Sequence, residues 1–543
     1  MFKTLNNRKL LSNFIVLALM LITFFSIAYQ TGLITSGFRY FIDDHLIPQV
    51  SYDLSTKGFF ETVSTWINID KSLNRFRPFY IIHLVTVTKL FGVNSTLWYS
   101  YITLLATLTT FFIFIFGRLL NFSLLIAFVF SISTLLGRQS DIWTRPTLPE
   151  AYAMFFLSVS LVFLGLSCKE KYNEAFTNVV FVILTIVMSL CKESFIIFIP
   201  TLMVGKLFLY KYERQHSLWQ TIKHNKFPLL FIASTFVLEI YYILFYLGTA
   251  GMGYAGVDES SFKFYSILST SKVFFTESHL VIAFIGLGLS LILTKLNRDS
   301  ILIPLREFAP FLILLLVSAA PHILLYSKSG INPGYYLFPA IVVACLFLAK
   351  VLSYIARYSQ WLSLSLVGIL VVILLNRVPL VWNMYSLQAK DSKYINDLLK
   401  QVELCTPNNE KFLIVANPRV RYEVLAGSLP TVLKHVINRD NFLIATYGLE
   451  KTNFYSETLK ESEKIWEFLN PESVLGLYQN KTILNTKNKS DIEAVIIFDG
   501  LDNDFIKTNK DWFSIQDYQF HEFKISFSLV HLYCKQSLRT QKW

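Results

Sequence analysis

Residues 14–34 read FIVLALMLITFFSIAYQTGLI, and no charged side chain stands between Lys9 and Arg39. At the rise of an α-helix a run of this length crosses about 30 Å of hydrocarbon. Lys3, Arg8 and Lys9 precede it, as basic residues precede a signal peptide. A signal-peptide core has only about 7 to 15 apolar residues and ends at a small-x-small cleavage site, which is missing here, so the run reads as a retained anchor. Comparable runs recur at 94–116, 121–136, 150–167, 176–190, 193–210, 227–247, 273–293, 308–326, 335–355 and 361–375. The pattern predicts a polytopic α-helical membrane protein with about eleven transmembrane helices. The composition agrees: 53% of the 543 residues are hydrophobic and 16% charged, with a mean hydropathy of +0.47, beyond what a soluble chain tolerates.

The net charge of +12 does not read as a nucleic-acid surface, because the basic residues are dispersed among short loops. With the N-terminus in the cytoplasm, the inner loops hold Arg118; Lys169 and Lys171; Lys211, Arg214, Lys223 and Lys226; Lys295, Arg298 and Arg306; and Lys350 and Arg357. That is the positive-inside pattern, loop after loop. It requires residues 79–91 to lie on the membrane as an interfacial helix. The membrane domain then covers residues 1–380, with a first external loop at 35–93. Residues 381–543 form an extracytoplasmic α/β domain on the same face, since a helical stretch at 394–402 alternates with apolar strands at 412–416, 494–498 and 527–533. Cys405 and Cys534 are the only cysteines of that domain and fit a disulfide in an oxidising compartment; Cys168, Cys191 and Cys345 are scattered among helices with no metal-binding spacing. Asn480-Lys481-Thr482 and Asn488-Lys489-Ser490 are glycosylation acceptors only where the source has that machinery.

Charges at membrane depth are costly and face a cavity or one another. On the predicted outer face stand Asp43 and Asp44; Arg75 and Arg77; Arg138, Asp141, Arg145 and Glu150; Lys192 and Glu193; Asp258 and Glu259; and Lys328. Each is an ordinary solvated rim residue taken singly. Asp43, Asp44, Lys192 and Glu193 abut apolar helix ends and carry more weight. The glycine-rich 248–271 loop on this face, with Gly251, Gly253 and Gly256, reads as a substrate gate and lacks the Gly-Lys-Ser/Thr of a phosphate loop.

The order of motifs resembles the GT-C superfamily of membrane glycosyltransferases, in particular its polyprenyl-phosphate-sugar-dependent, PMT/ArnT-like branch. Phe41-Ile42-Asp43-Asp44-His45 resembles the acidic pair that opens the first external loop there. Arg75-Phe76-Arg77-Pro78-Phe79-Tyr80 followed by Leu90-Phe91-Gly92, then Gly117-Arg118, Thr144-Arg145-Pro146-Thr147-Leu148-Pro149-Glu150 and Cys191-Lys192-Glu193-Ser194, continue the likeness over about residues 10–360. Two departures stand out. No Trp-Trp-Asp signature of oligosaccharyltransferases is present, and Gly334-Tyr335-Tyr336-Leu337-Phe338-Pro339 lacks the arginine that many relatives carry before the Tyr-Leu stretch, so Lys328 or another base must take over its phosphate.

The resemblance implies an inverting transfer of a monosaccharide from a polyprenyl phosphate to a glycan, lipid or protein acceptor at the outer face of a bacterial inner membrane. Such a reaction needs a carboxylate to take the acceptor's proton and cations to hold the departing phosphate. Asp44 is the expected base and Asp43 the residue that positions the acceptor or sugar, or the reverse. His45, Arg77, Arg138, Arg145, Glu150, Lys192, Glu193 and Lys328 are the expected substrate-binding residues, Lys192 foremost. Asp43, Asp44 and His45 are also fit for a divalent cation, the one cofactor the sequence offers, without a further ligand cluster. Two other classes compete: a transporter or flippase, which calls for repeated halves that the sequence does not display, and a lipid-diphosphate-dependent glycan polymerase or ligase, which calls for a late-loop histidine base.

Overall fold

The computed structural model describes residues 2–72, 75–247, 264–329, 334–416, 424, 428–446, 492–508, 510, 513–526 and 528–536. The helices of the apolar region run in the order α1 (Phe2–Gln30), α2 (Leu46–Lys57), α3 (Phe59–Ser72), α4 (Pro78–Phe91), α5 (Ser95–Leu119), α6 (Leu124–Leu135), α7 (Pro149–Ser167), α8 (Glu174–Ser189), α9 (Ile199–Arg214), α10 (Leu218–His224), α11 (Lys226–Tyr241), α12 (Phe264–Glu277), α13 (Leu280–Leu296), α14 (Leu302–Ser329), α15 (Phe338–Tyr358), α16 (Gln360–Leu375) and α17 (Val378–Cys405).

Every expected span overlaps one or two of these helices. Among the described residues eight helical stretches are long and apolar enough to cross a membrane, and nine when the bent pair α12–α13 is one span. α6 and α8, also expected as spans, are shorter apolar helices. The count of eleven therefore includes two helices below the usual spanning length. The chain is an integral membrane protein of the polytopic helical class with a small sheet near its C-terminus. The expected continuous span 273–293 is broken: α12 and α13 meet at 67°, with His279 in the left-handed region at φ 55°. The polar run Thr276-Glu277-Ser278-His279 interrupts the apolar pattern there.

The chain folds as two compact units: residues 1–28, 63–84 and 100–384 form the first, and residues 29–62, 85–99 and 385–543 the second. In the first, α15 is buried along nearly its whole length and packs against α6, α13, α14 and α16. A helix apolar all round is a core helix, whereas α11 leaves Phe227, Leu230, Phe231, Val237 and Leu238 exposed, as a helix facing hydrocarbon does. Local sequence sets the helix starts. Ser123 accepts the Ile126 N–H, Asn173 accepts the Phe176 N–H, and Pro149 occupies the first turn of α7, where a missing N–H is harmless.

The second unit carries a five-stranded sheet of β1 (Phe412–Ala416), β2 (Phe442–Thr446), β3 (Ala494–Phe498), β4 (Tyr518–Ile525) and β5 (Ser528–Lys535), in the order β2-β1-β3-β5-β4. β1 pairs in parallel with β2 and β3, and β5 runs antiparallel to β3 and β4. β1 and β3 are five-residue apolar runs buried throughout, the signature of central parallel strands. Cys405, closing α17, is disulfide-bonded to Cys534 of β5, with Cα atoms 5.6 Å apart.

Candidate active site

The first unit brings together four of the expected residues in one alternating chain of charge. The Arg77 guanidinium grips Asp70 with Nε–Oδ2 at 3.1 Å and Nη2–Oδ1 at 2.6 Å. Its Nε also stands 3.8 Å from Glu193 Oε1. Lys192 Nζ lies 3.8 Å from Glu193 Oε2 and 3.2 Å from Glu150 Oε1. The Phe76 N–H donates to Glu193 Oε1 at 3.0 Å. Burial opposes the charge of Arg77, but Asp70 and Glu193 outweigh it and hold the guanidinium firmly protonated. Asp70–Arg77–Glu193–Lys192–Glu150 is thus a largely buried network in which three carboxylates outnumber two cations. Lys192 is a partner of carboxylates here, so an incoming phosphate at this point would compete with Glu150 and Glu193 for it.

Arg138 and Arg145 form a second cluster in the same unit. Arg138 opens the 3-10 turn Arg138–Thr144 and Arg145 closes it. The Arg138 side chain is 57% exposed and its Nε lies 3.9 Å from Glu277 Oε1; its N–H donates to Glu277 Oε2 at 3.3 Å. Arg377 Nη1 meets the same buried carboxylate at 3.2 Å. Arg145 pairs with Asp141 at 2.8 Å and lies 5.8 Å over the Tyr335 ring. The three arginines exceed the two carboxylates by one charge.

The departure at Gly334-Tyr335 gains a physical account from this geometry. A Cβ on Gly334 would stand 2.8 Å from Arg138 Cβ, so only glycine lets that backbone approach so closely. The stretch without its own arginine is therefore packed against two arginines from 138–145. Tyr335 and Tyr336, with Tyr326 stacked on Tyr336, add an aromatic wall. Tyr80 donates to the Thr147 carbonyl and Tyr152 to the Pro146 carbonyl, which fixes the backbone joining Arg145 to Glu150 and so ties the two clusters to one turn.

The first-loop acidic pair belongs to the second unit. Asp43 and Asp44 sit in the π-helical turn Tyr40–Asp44. Asp44 is 2% exposed; its Oδ2 accepts from Tyr99 Oη at 2.7 Å and from the Arg39 N–H at 3.0 Å. Burial first, and the Asp44 charge second, push the Tyr40 phenol up to about 12. The Arg39 guanidinium pairs with Asp391 of α17 at 2.7 Å, and Asp391 also accepts the Ser526 N–H. His45 is half-buried just before α2. The side chains of Asp43 and Lys328, and residues 248–263 of the expected gating loop with Asp258 and Glu259, lie outside the described residues. So do both glycosylation tripeptides. Among the described residues no three His, Cys, Asp or Glu side chains converge as a metal site.

No family model matches the sequence, and no curated protein matches it. Its fold is similar to that of ArnT from Cupriavidus metallidurans. The apo crystal structure of that protein aligns over 94% of this chain and 97% of its own, with 12% identity and a TM-score of 0.48. The structure bound to undecaprenyl phosphate aligns over 95% and 98%, with 13% identity and a TM-score of 0.47. At that identity no residue role passes from one chain to the other.

The sequence reading omitted Asp70, Glu277, Arg377, Tyr99 and Asp391. Glu277 alone had a signal: a carboxylate inside an expected span. Asp70 and Asp391 stand on helices with several exposed charges, where nothing in the sequence marks the one that turns inward.

Proposed function

We propose that this chain is an inverting glycosyltransferase that moves a monosaccharide from a polyprenyl-phosphate donor to an envelope glycan, lipid or protein acceptor. The observation that carries the reading is the Arg138–Arg145 cluster against Gly334–Tyr335. It offers a half-exposed, net-positive site for a phosphate, where guanidinium forks suit phosphate oxygens. The ordered motifs of the first 200 residues support the same chemistry. The acceptor hydroxyl attacks the anomeric carbon, the bond from that carbon to the phosphate oxygen breaks, and the polyprenyl phosphate leaves with the bond's electrons while a carboxylate takes the hydroxyl proton. In this reading the carboxylate is one of Asp43 and Asp44, and the arginines hold the charge that grows on the phosphate. The Asp70–Glu150 network keeps the turn carrying Arg145 in place. The disulfide Cys405–Cys534 supports an extracytoplasmic second unit, since such bonds persist in oxidising compartments.

The test is transfer by the full chain in detergent from radiolabelled polyprenyl-phosphate monosaccharides to host glycolipids, with Asp43→Asn and Asp44→Asn beside the wild type. Asp44 already accepts two hydrogen bonds from within its own unit, so Asp44→Asn lowers thermal stability as well as rate. Loss of kcat in Asp43→Asn with an unchanged melting temperature assigns the base to Asp43; a folded wild type that transfers nothing from any donor overturns the proposal. One observation favours the transporter reading, namely the broken α12–α13 pair with buried Glu277 at the break. Lipid or solute flux through proteoliposomes in the absence of transfer would establish it.

A further inference from the structure

The first unit holds a cavity of about 390 Å³ that the proposed reaction does not use. Its wall is apolar, with Phe116, Leu164, Leu202, Leu314 and Leu346 from α5, α7, α9, α14 and α15, and its size lies in the range that takes small amphiphiles. One end is charged. Arg306, Glu307, Lys350 and Arg357 line it together. Glu307 answers both Lys350 and Arg357, each at 2.8 Å, while exposed Arg306 has no ion pair among the described residues. Three cations therefore face one carboxylate, a surplus of two positive charges beside an apolar chamber. Glu213, also in the lining, is already engaged by Lys169 at 3.6 Å.

The position of this charged end follows from one helix. Lys192 immediately precedes the apolar stretch Glu193–Arg214, which is 22 residues long, and Glu213 at its far end lines the cavity. At 1.5 Å per residue the stretch covers about 33 Å, a full hydrocarbon thickness. The cationic end therefore lies at the membrane face opposite Lys192, where no sugar-transfer residue has been placed.

We propose that this cavity binds a phospholipid of the opposite leaflet with a net-negative head group, its phosphate on Arg306, Lys350 and Arg357 and a length of acyl chain between α9, α14 and α15. Charge complementarity selects the anionic head, and the apolar wall selects a lipid over a free anion. Gly205 offers a way to fill the chamber: a Cβ there meets nothing closer than Leu314 Cδ2 at 3.7 Å.

The experiment is native mass spectrometry of the purified full chain titrated with phosphatidylglycerol and with phosphatidylcholine of the same acyl chains, repeated with inorganic phosphate as competitor. Expected are at least tenfold tighter binding of phosphatidylglycerol, loss of most of that preference in Arg306→Gln/Arg357→Gln, and weaker binding of both lipids in Gly205→Leu. Arg306→Gln alone, at an exposed position, gives a partial loss without threatening the fold. Equal affinity for the two lipids, a preference unchanged in the arginine variants, unchanged binding in Gly205→Leu, or displacement of the lipid by millimolar phosphate would each overturn the proposal. The readout is independent of sugar transfer, so its failure leaves the proposed reaction standing, and the reverse.

Discussion

Arg145 faces two neighbours with different demands, the Asp141 carboxylate at 2.8 Å and the Tyr335 ring. A planar guanidinium satisfies both at once and its fork matches phosphate oxygens; an ammonium does neither. Arg145→Lys and Arg138→Gln are therefore each expected to raise KM for the polyprenyl-phosphate donor roughly tenfold, the equivalent of about 1.4 kcal/mol, measured in steady-state transfer at fixed acceptor. Lys192 answers a different question. It is buried, as is its partner Glu150, and removing one member of such a pair leaves an uncompensated charge. Lys192→Met is expected to destabilise the folded protein by about 3 to 5 kcal/mol. Lys192→Met/Glu150→Gln recovers most of that loss in thermal unfolding, because both charges are gone. A Lys192 that served the substrate alone would leave the melting temperature of the single variant unchanged.

At the level of elements, the second unit depends on a close approach between the first loop and α17. Gly37 has φ 86°, and a Cβ there would stand 2.6 Å from Asn396 Nδ2, the group that donates to the Phe38 carbonyl at 3.0 Å. Gly37→Ala thus combines left-handed strain with a clash and is expected to cost about 1 to 3 kcal/mol, read as a lower midpoint of thermal unfolding. β1 and β3 announce themselves as short apolar runs, and the apolar helices by length alone, because both signals are local. The pairing of residues 38–44 with α17 is a contact across some 350 positions, carried by Asn396, Asp391 and Arg39, polar residues of a kind common on any surface helix or loop. Likewise the interruption of the apolar pattern at Thr276–His279 is local, whereas the partners of Glu277 at the bend, Arg138 and Arg377, come from distant parts of the chain.

For the whole molecule, membership of one unit constrains the path through the membrane. Arg39 and Asp391 form an ion pair and Ser428 Oγ donates to the Phe41 carbonyl, so the first loop and the C-terminal sheet stand on one side, and the chain must cross an even number of times between residues 44 and 391. The long spans in that interval are α5, α7, α9, α11, the α12–α13 pair, α14, α15 and α16, an even set. Glu150 and Lys192 meet at 3.2 Å, so α7 and α8 both cross, and one of α6 and the 14-residue α4 completes the even count. Either solution leaves an odd number of crossings between Ser55 and Lys211. Cysteines introduced at exposed Ser55 and Lys524 are therefore expected to react with a membrane-impermeant maleimide from the same side of sealed vesicles, and one at Lys211 only from the other. The native background is low, because Cys168, Cys191 and Cys345 are buried and Cys405 and Cys534 are bonded to each other. Labelling of Ser55→Cys and Lys524→Cys from opposite sides would break the ion pair between Arg39 and Asp391 as a feature of the folded protein and with it the second unit, whereas Lys211→Cys reacting with them would leave that unit intact and remove a crossing from α5 to α9.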